Sequence, residues 1–138
     1  MENTKKRVLF LCTHNSARSQ MAEGLLRAMY GNKYEAYSAG SEVTRVNPYV
    51  FKSMGEIGID LSAHTSKLTD KFIDMEIDYV VTVCDNAKGA CPFFPNAKQY
   101  YHHSFPDPSA FTGTEEEILK QVSQVREQIK IWIVENFG

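Results

Sequence analysis

The sequence predicts one α/β domain over residues 1–138, built on a doubly wound, four-stranded parallel sheet of order 2-1-3-4 with helices on both faces. Three observations predict it. Strand-like and helix-like segments alternate along the chain. The segments Val8–Leu11 and Tyr79–Val83 are continuous runs, the second rich in β-branched residues, of the kind that parallel sheets bury on both faces. Between and after them, apolar residues recur at three- and four-residue steps.

The first strand is Val8–Leu11. Met21, Ala22, Leu25, Leu26 and Met29 then share one helical stripe, which Gly31 stops. A short strand fits Glu35–Ser38, closed by Ala39-Gly40. Asn47 is placed to cap a helix that has Pro48 at its first position and Phe51, Met54 and Ile57 at helical spacing before Gly58. Thr69 is expected to cap a short helix through Phe72 and Ile73. Tyr79–Val83 is the third strand and Lys98–Tyr101 a weaker fourth. Ile118, Val122, Val125, Ile129 and Trp132 line one face of a long helix over Glu115–Phe137.

At 138 residues and 43% apolar content the chain has the makings of one hydrophobic core and is not a disordered segment. Its formal charge of −2 gives no electrostatic footprint for nucleic acid. No apolar run reaches the length of a membrane span, and Val8–Leu11 is too short for a secretory signal core. A cytoplasmic protein is expected, and a monomer. In a reducing compartment three cysteines, an odd count, argue against a structural disulfide framework and towards catalysis, redox work or metal binding. A zinc site is disfavoured, because Cys84 and Cys91 stand too far apart for the usual close ligand pair.

The strongest local signal is Cys12-Thr13-His14-Asn15-Ser16-Ala17-Arg18-Ser19, set between a buried strand and an amphipathic helix. Five residues separate Cys12 from Arg18, enough for the backbone to wrap a tetrahedral oxyanion with successive N–H groups pointing inward. The helix N-terminus adds a favourable dipole, and the Arg18 guanidinium is suited to fork onto two oxygens. The same field is expected to depress the Cys12 pKa. Asn15 is a candidate for a left-handed conformation, Ser19 for a hydrogen bond to the Cys12 sulfur, and the side chain of His14 is expected to point outward. The loop lacks the Gly-Lys-Ser/Thr ending of a nucleotide P-loop. Open α/β sheets bind ligands at the carboxyl ends of their strands. Cys12 ends the first strand there, Cys84 ends the third, and Asp107 lies just past the fourth. Asp107 sits in Phe105-Pro106-Asp107-Pro108, a tetrapeptide that by itself reads as a turn.

The Cys-x5-Arg-Ser loop directly after the first strand resembles that of the low-molecular-weight protein tyrosine phosphatase superfamily. The strings Asn15-Ser16-Ala17-Arg18-Ser19-Gln20-Met21-Ala22-Glu23-Gly24, Tyr37-Ser38-Ala39-Gly40, Val46-Asn47-Pro48, Gly58-Ile59-Asp60-Leu61-Ser62 with Thr65-Ser66, and Gly113-Thr114-Glu115-Glu116-Glu117 are similar to those of its thioredoxin-coupled arsenate reductase branch. The resemblance implies a low-molecular-weight phosphatase-like fold, Cys12 as nucleophile, Arg18 as anion-binding residue and Asp107 as general acid. It implies arsenate as substrate, with phosphate or sulfate as analogue anions, no bound cofactor, and thioredoxin as external reductant. Ser109 follows the Asp-Pro pair where phosphatases usually carry an aromatic residue.

Cys84 and Cys91 bear on the choice between the two chemistries. A phosphatase needs one cysteine, whereas arsenate reduction needs two further electrons. In the arsenate-reductase reading Cys84 attacks the Cys12 sulfur, the adjacent strand ends lying ~5 Å apart, and Cys91 then attacks Cys84. A phosphatase with protective extra cysteines and an idle oxyanion-binding module remain the competing functions. Some members similar to this chain bind potassium beside the loop through the positions of Asn15, Glu23 and Ser38 and the aspartate of a Thr-Ser-Asp string. Here that string is Thr65-Ser66-Lys67, so a built-in ammonium supporting Glu23 and Asn15 is expected in place of the ion.

Overall fold

The computed structural model describes residues 5–83, 94 and 97–138. Four strands, β1 (Lys6–Leu11), β2 (Tyr34–Ala39), β3 (Ile77–Thr82) and β4 (Ala97–His102), form one all-parallel sheet of order β2-β1-β3-β4. The helices are α1 (Arg18–Tyr30), α2 (Pro48–Gly55) and α3 (Glu115–Phe137), with 3₁₀ helices at Thr69–Phe72 and Pro108–Ala110. The predicted fold class is therefore the observed one.

Side-chain alternation along β1 builds the two halves of the core. Val8 and Phe10 face α1, α2 and α3 and pack with Met21, Leu25, Leu26, Met54, Val125 and Ile129. Leu9 and Leu11 face the other way, towards Ile77, Val80, Phe72 of the first 3₁₀ helix, and Phe94. The fully buried side chains among these contribute about 1.5–3 kcal/mol each relative to exposure. No described helix is long and apolar enough to cross a membrane.

Register positions the site. Leu11 stands opposite both Ala39 and Thr82, and Thr82 opposite His102, so the four carboxyl ends finish level. The ladder runs one residue further: Cys12 N–H donates to Ala39 O at 3.2 Å, Val83 N–H to Leu11 O at 3.0 Å, and His103 N–H to Thr82 O at 3.0 Å.

Asn47 caps α2 as expected: its side chain accepts from Tyr49 N at 2.8 Å, with Pro48 opening the helix. α2 stops at Gly55, short of Ile57, and Gly58 then turns the chain with φ +79°. Thr69 is a correction. It begins the 3₁₀ helix rather than capping it, because Leu68 takes the extended cap position and no side chain caps the helix. At α3, Thr114 and Glu117 form a reciprocal capping box that holds the helix start.

Candidate active site

β1 ends in the core, so Cys12 arrives with only 4% of its surface exposed. The next six residues turn away from the sheet into α1, and the turn is specified from outside. Thr13 O accepts from Glu42 N at 3.0 Å, His14 O from Ser66 Oγ at 2.9 Å and Thr44 Oγ1 at 3.2 Å, and Ser16 O from Asn47 N at 2.8 Å. With these carbonyls tied outward, the N–H groups of Thr13 and His14 are turned onto the Cys12 sulfur. Asn15 takes the left-handed conformation, φ 49°, in the described chain the only positive φ at a residue other than glycine. Its amide donates to Ser19 Oγ at 2.9 Å, and its Oδ1 accepts from Lys67 N at 2.8 Å and Gln20 Nε2 at 3.0 Å.

Gly40, just past β2, lets the loop sit this close to the sheet. A Cβ there would lie 2.6 Å from both Cys12 O and Thr13 O and 2.9 Å from Asn15 N. Gly40 is also stitched to the 67–69 segment, donating to Lys67 O at 2.8 Å and accepting from Thr69 N at 3.0 Å.

Arg18, the first residue of α1, is 7% exposed. One terminal nitrogen donates to the carbonyl of buried Phe105 at 3.1 Å, and the other lies 3.7 Å from Asp107 Oδ2. Its Nε is buried and has no hydrogen-bond partner among the described residues. An orphaned guanidinium donor near a sulfur that two successive backbone N–H groups meet suits a tetrahedral oxyanion. Asp107 is both turn residue and site residue. Its Oδ1 accepts from the N–H and hydroxyl of Ser109 at 3.0 and 2.9 Å, while the half-exposed carboxylate faces Arg18.

The expected depression of the Cys12 pKa is corrected. Burial is the largest influence and pushes the thiol above its ordinary value. Arg18 and the Thr13 N–H pull it down, the Asp107 carboxylate pushes it up, and the His14 N–H pulls it down. The sequence showed the cradle but not the depth at which the tertiary core buries it.

His14 points outward, half-exposed, its Nε2 3.1 Å from Glu42 Oε2. Behind the loop, buried Glu23 accepts a very short hydrogen bond from Ser38 Oγ. Lys67 Nζ stands 3.8 Å from Glu23 Oε1 and donates to Thr65 O at 2.5 Å. The structure thus brings Asn15, Glu23, Ser38 and Lys67 together. Burial pushes the Lys67 pKa down, Glu23 opposes this, and Lys71 and Arg27 add to it. Cys84 and Cys91 lie outside the described residues.

Sequence reasoning missed three members of this support. Gln20, His64 and Arg27 join the loop to Glu23, with Arg27 2.6 Å from Glu23 Oε2. The spacing of Glu23 and Arg27 carried a signal, the i, i+4 ion pair of a helix face. Gln20 and His64 carried none, being polar residues joined across 44 positions.

The family model of the low molecular weight phosphotyrosine protein phosphatases matches residues 7–134. An arsenate reductase of Halalkalibacterium halodurans is 45% identical over 125 residues, covering 91% of this chain and 90% of that protein. An arsenate reductase of Bacillus subtilis is 44% identical over 129 residues, covering 94% and 91%. A solved arsenate reductase in its phosphate-binding state superposes with a TM-score of 0.73 at 30% identity, over 94% of this chain and 98% of that one.

Proposed function

Given that the chain belongs to the low molecular weight phosphotyrosine protein phosphatase family, we propose that it reduces arsenate to arsenite by a thiol and disulfide relay starting at Cys12. The observation that carries this reading is the match to arsenate reductases at about 45% identity along nine-tenths of both chains. The orphaned Arg18 Nε beside Cys12 supports it from the geometry.

Arsenate enters the loop formed by Thr13, His14, Asn15, Ser16, Ala17, Arg18 and Ser19, where phosphate and sulfate act as analogue anions. The Cys12 thiolate attacks arsenic while Asp107 gives its proton to a departing oxygen, which leaves as water. The Asp107 carboxylate is one of the groups that raises the Cys12 pKa, so the protonated acid needed for this step also eases thiolate formation. Ser19 already accepts from the Asn15 amide, which leaves its own hydroxyl proton to donate to the sulfur. Cys84 then attacks the Cys12 sulfur: the S–As bond breaks, its electron pair stays on arsenic as arsenite, and a Cys12–Cys84 disulfide forms. Cys91 attacks Cys84, frees Cys12, and the Cys84–Cys91 disulfide is reduced by an external dithiol, thioredoxin. No bound cofactor takes part.

The second reading is hydrolysis of aryl phosphates through a phosphocysteine. It uses the same Cys12, Arg18 and Asp107, and family membership favours it. Ser109 counts against it as a principal activity, because its hydroxyl is engaged with Asp107 and offers no surface to an aromatic ring. The test is NADPH consumption with arsenate, thioredoxin and thioredoxin reductase, beside hydrolysis of p-nitrophenyl phosphate. Arsenate-dependent turnover is expected. Phosphatase turnover without any arsenate-dependent NADPH consumption would reverse the assignment.

A further inference from the structure

The anion loop is held from behind by a chain of hydrogen bonds whose direction can be worked out atom by atom. Gln20 is fully buried in the first turn of α1. Its Nε2 lies 3.0 Å from Asn15 O, 3.0 Å from Asn15 Oδ1 and 2.9 Å from Thr65 O. All three are acceptors without hydrogens, so this end of the side chain must be the NH₂ group and the other end the carbonyl. That carbonyl, Oε1, faces His64 Nδ1 at 2.9 Å, so Nδ1 must carry a hydrogen and donate. The other ring nitrogen, Nε2, faces Arg27 Nη1 at 3.0 Å. A guanidinium has donors only, so Nε2 must be bare and accept. The imidazole is thereby fixed as neutral, with its proton on Nδ1.

We infer that His64, as the neutral Nδ1–H tautomer, and Gln20 are positioning residues that hold Asn15 left-handed and so set the anion loop around Cys12. The chain reads Arg27 to His64 to Gln20 to Asn15 to Ser19, each side chain donating to the next, with Asn15 accepting from Gln20 on both its backbone and its side-chain carbonyl. Asn15 is where such support acts: asparagine enters the left-handed region more readily than most residues, and hydrogen bonds to its backbone and side-chain carbonyls hold it there. The His64 side chain is 8% exposed, so its ring nitrogens have little access to water as an alternative partner. Its setting agrees with a neutral ring. Burial pushes its pKa below the ordinary histidine value, Glu23 opposes this, and Arg27 and Lys67 add to it. Gln20 bonds directly to Asn15, and His64 reaches Asn15 only through Gln20, so both act on the loop through Asn15.

The inference rests on the oxyanion-cradle reading of the loop, and the test separates the two. Asparagine places its amide nitrogen where Nδ1 stands in histidine, glutamine places its own where Nε2 stands, and alanine supplies neither. The reduced full-length protein and the variants His64→Asn, His64→Gln and His64→Ala are titrated with inorganic phosphate, read by protection of Cys12 from iodoacetamide. His64→Asn is expected to bind phosphate within about twofold of wild type, and His64→Ala and His64→Gln about tenfold more weakly, the cost of one lost buried hydrogen bond. ¹⁵N NMR of the wild-type imidazole needs no variant to fold, and should show Nδ1 protonated and Nε2 bare. Wild-type affinity in His64→Ala, rescue by His64→Gln equal to that by His64→Asn, or a protonated Nε2 would each overturn the inference. If the wild type itself failed to bind phosphate, the cradle reading would fall, while the NMR arm would still decide the tautomer.

Discussion

Arg18 carries a buried donor that no described residue satisfies, and an unpartnered group of that kind costs about 1–3 kcal/mol. A bound oxyanion that accepts from this donor removes the cost, so the buried Nε favours oxyanion binding. Lysine cannot reproduce the arrangement, because its single ammonium cannot meet Phe105 O, Asp107 and an anion from one plane. Arg18→Lys should therefore lose about 10²-fold or more in kcat/KM for arsenate, equivalent to a lost charge-assisted bidentate contact; normal turnover in that variant would remove the cradle. Cys12 gives a prediction of sign. The Asp107 carboxylate raises its pKa and Arg18 lowers it. Alkylation of Cys12 by iodoacetamide rises as the thiolate forms, so without added oxyanion its pH midpoint should lie above that of an ordinary thiol, burial being the largest cause. Asp107→Asn should shift the midpoint to lower pH and Arg18→Gln to higher pH. Shifts in the opposite directions would show that neither residue acts on the sulfur electrostatically.

The loop keeps its shape because two segments distant in sequence hold its outer side, 40–47 and 65–69. Gly40→Ala tests the first. Its new Cβ would meet backbone atoms of Cys12, Thr13 and Asn15 that cannot move without opening the loop, so a stability loss of about 1–3 kcal/mol is expected. Weakened phosphate binding should accompany it, and a thermal melt with a phosphate titration checks both. Lys67 tests the second. Its ammonium already stands near Glu23 and its backbone N–H already holds Asn15 Oδ1, so potassium should lower KM no more than sodium at equal ionic strength. Lys67→Asp should acquire a potassium-specific response; a large potassium effect in the wild type would refute the built-in cation. These segments mark the limit of what the sequence disclosed. The strands, the Cys12–Arg18 spacing, the Asn47 cap and the left-handed Asn15 were legible because each depends on a few neighbouring residues. Gly40 was visible only as part of a string, since its need arises from the carbonyls of Cys12 and Thr13, which fold back over it. Thr69 was misread as a cap because a threonine before an apolar pair is a local pattern, and the extended Leu68, bridged to Gly40, overrode it.

At the scale of the molecule, the level register of four parallel strands is what gives the site its parts. Leu11, Ala39, Thr82 and His102 end side by side, so Cys12, Gly40 and the segment leading to Phe105 and Asp107 all emerge from one edge. The topology was readable from the alternation of strands and helices; the protonation behaviour of Cys12 was not, because it depends on how deeply the assembled core buries that edge. The same edge orders the proposed relay. β1 and β3 are neighbours, and Val83 still bonds to Leu11, so residue 84 follows directly from the strand beside Cys12, whereas Cys91 lies seven positions further along the chain. If Cys84 is the thiol that expels arsenic, Cys91→Ser should still release about one arsenite per enzyme in a single turnover, the stoichiometry of one disulfide formed, and then stall as a Cys12–Cys84 disulfide. Cys84→Ser should release no such burst. Both variants should keep whatever p-nitrophenyl phosphate hydrolysis the wild type has, since that step draws only on Cys12, Arg18 and Asp107. Rapid-quench measurement of arsenite, followed by mass-spectrometric mapping of the trapped disulfide, reads all three outcomes. Equal bursts from the two variants, or a Cys12–Cys91 bond in the wild type, would mean that the roles of the two resolving cysteines are exchanged.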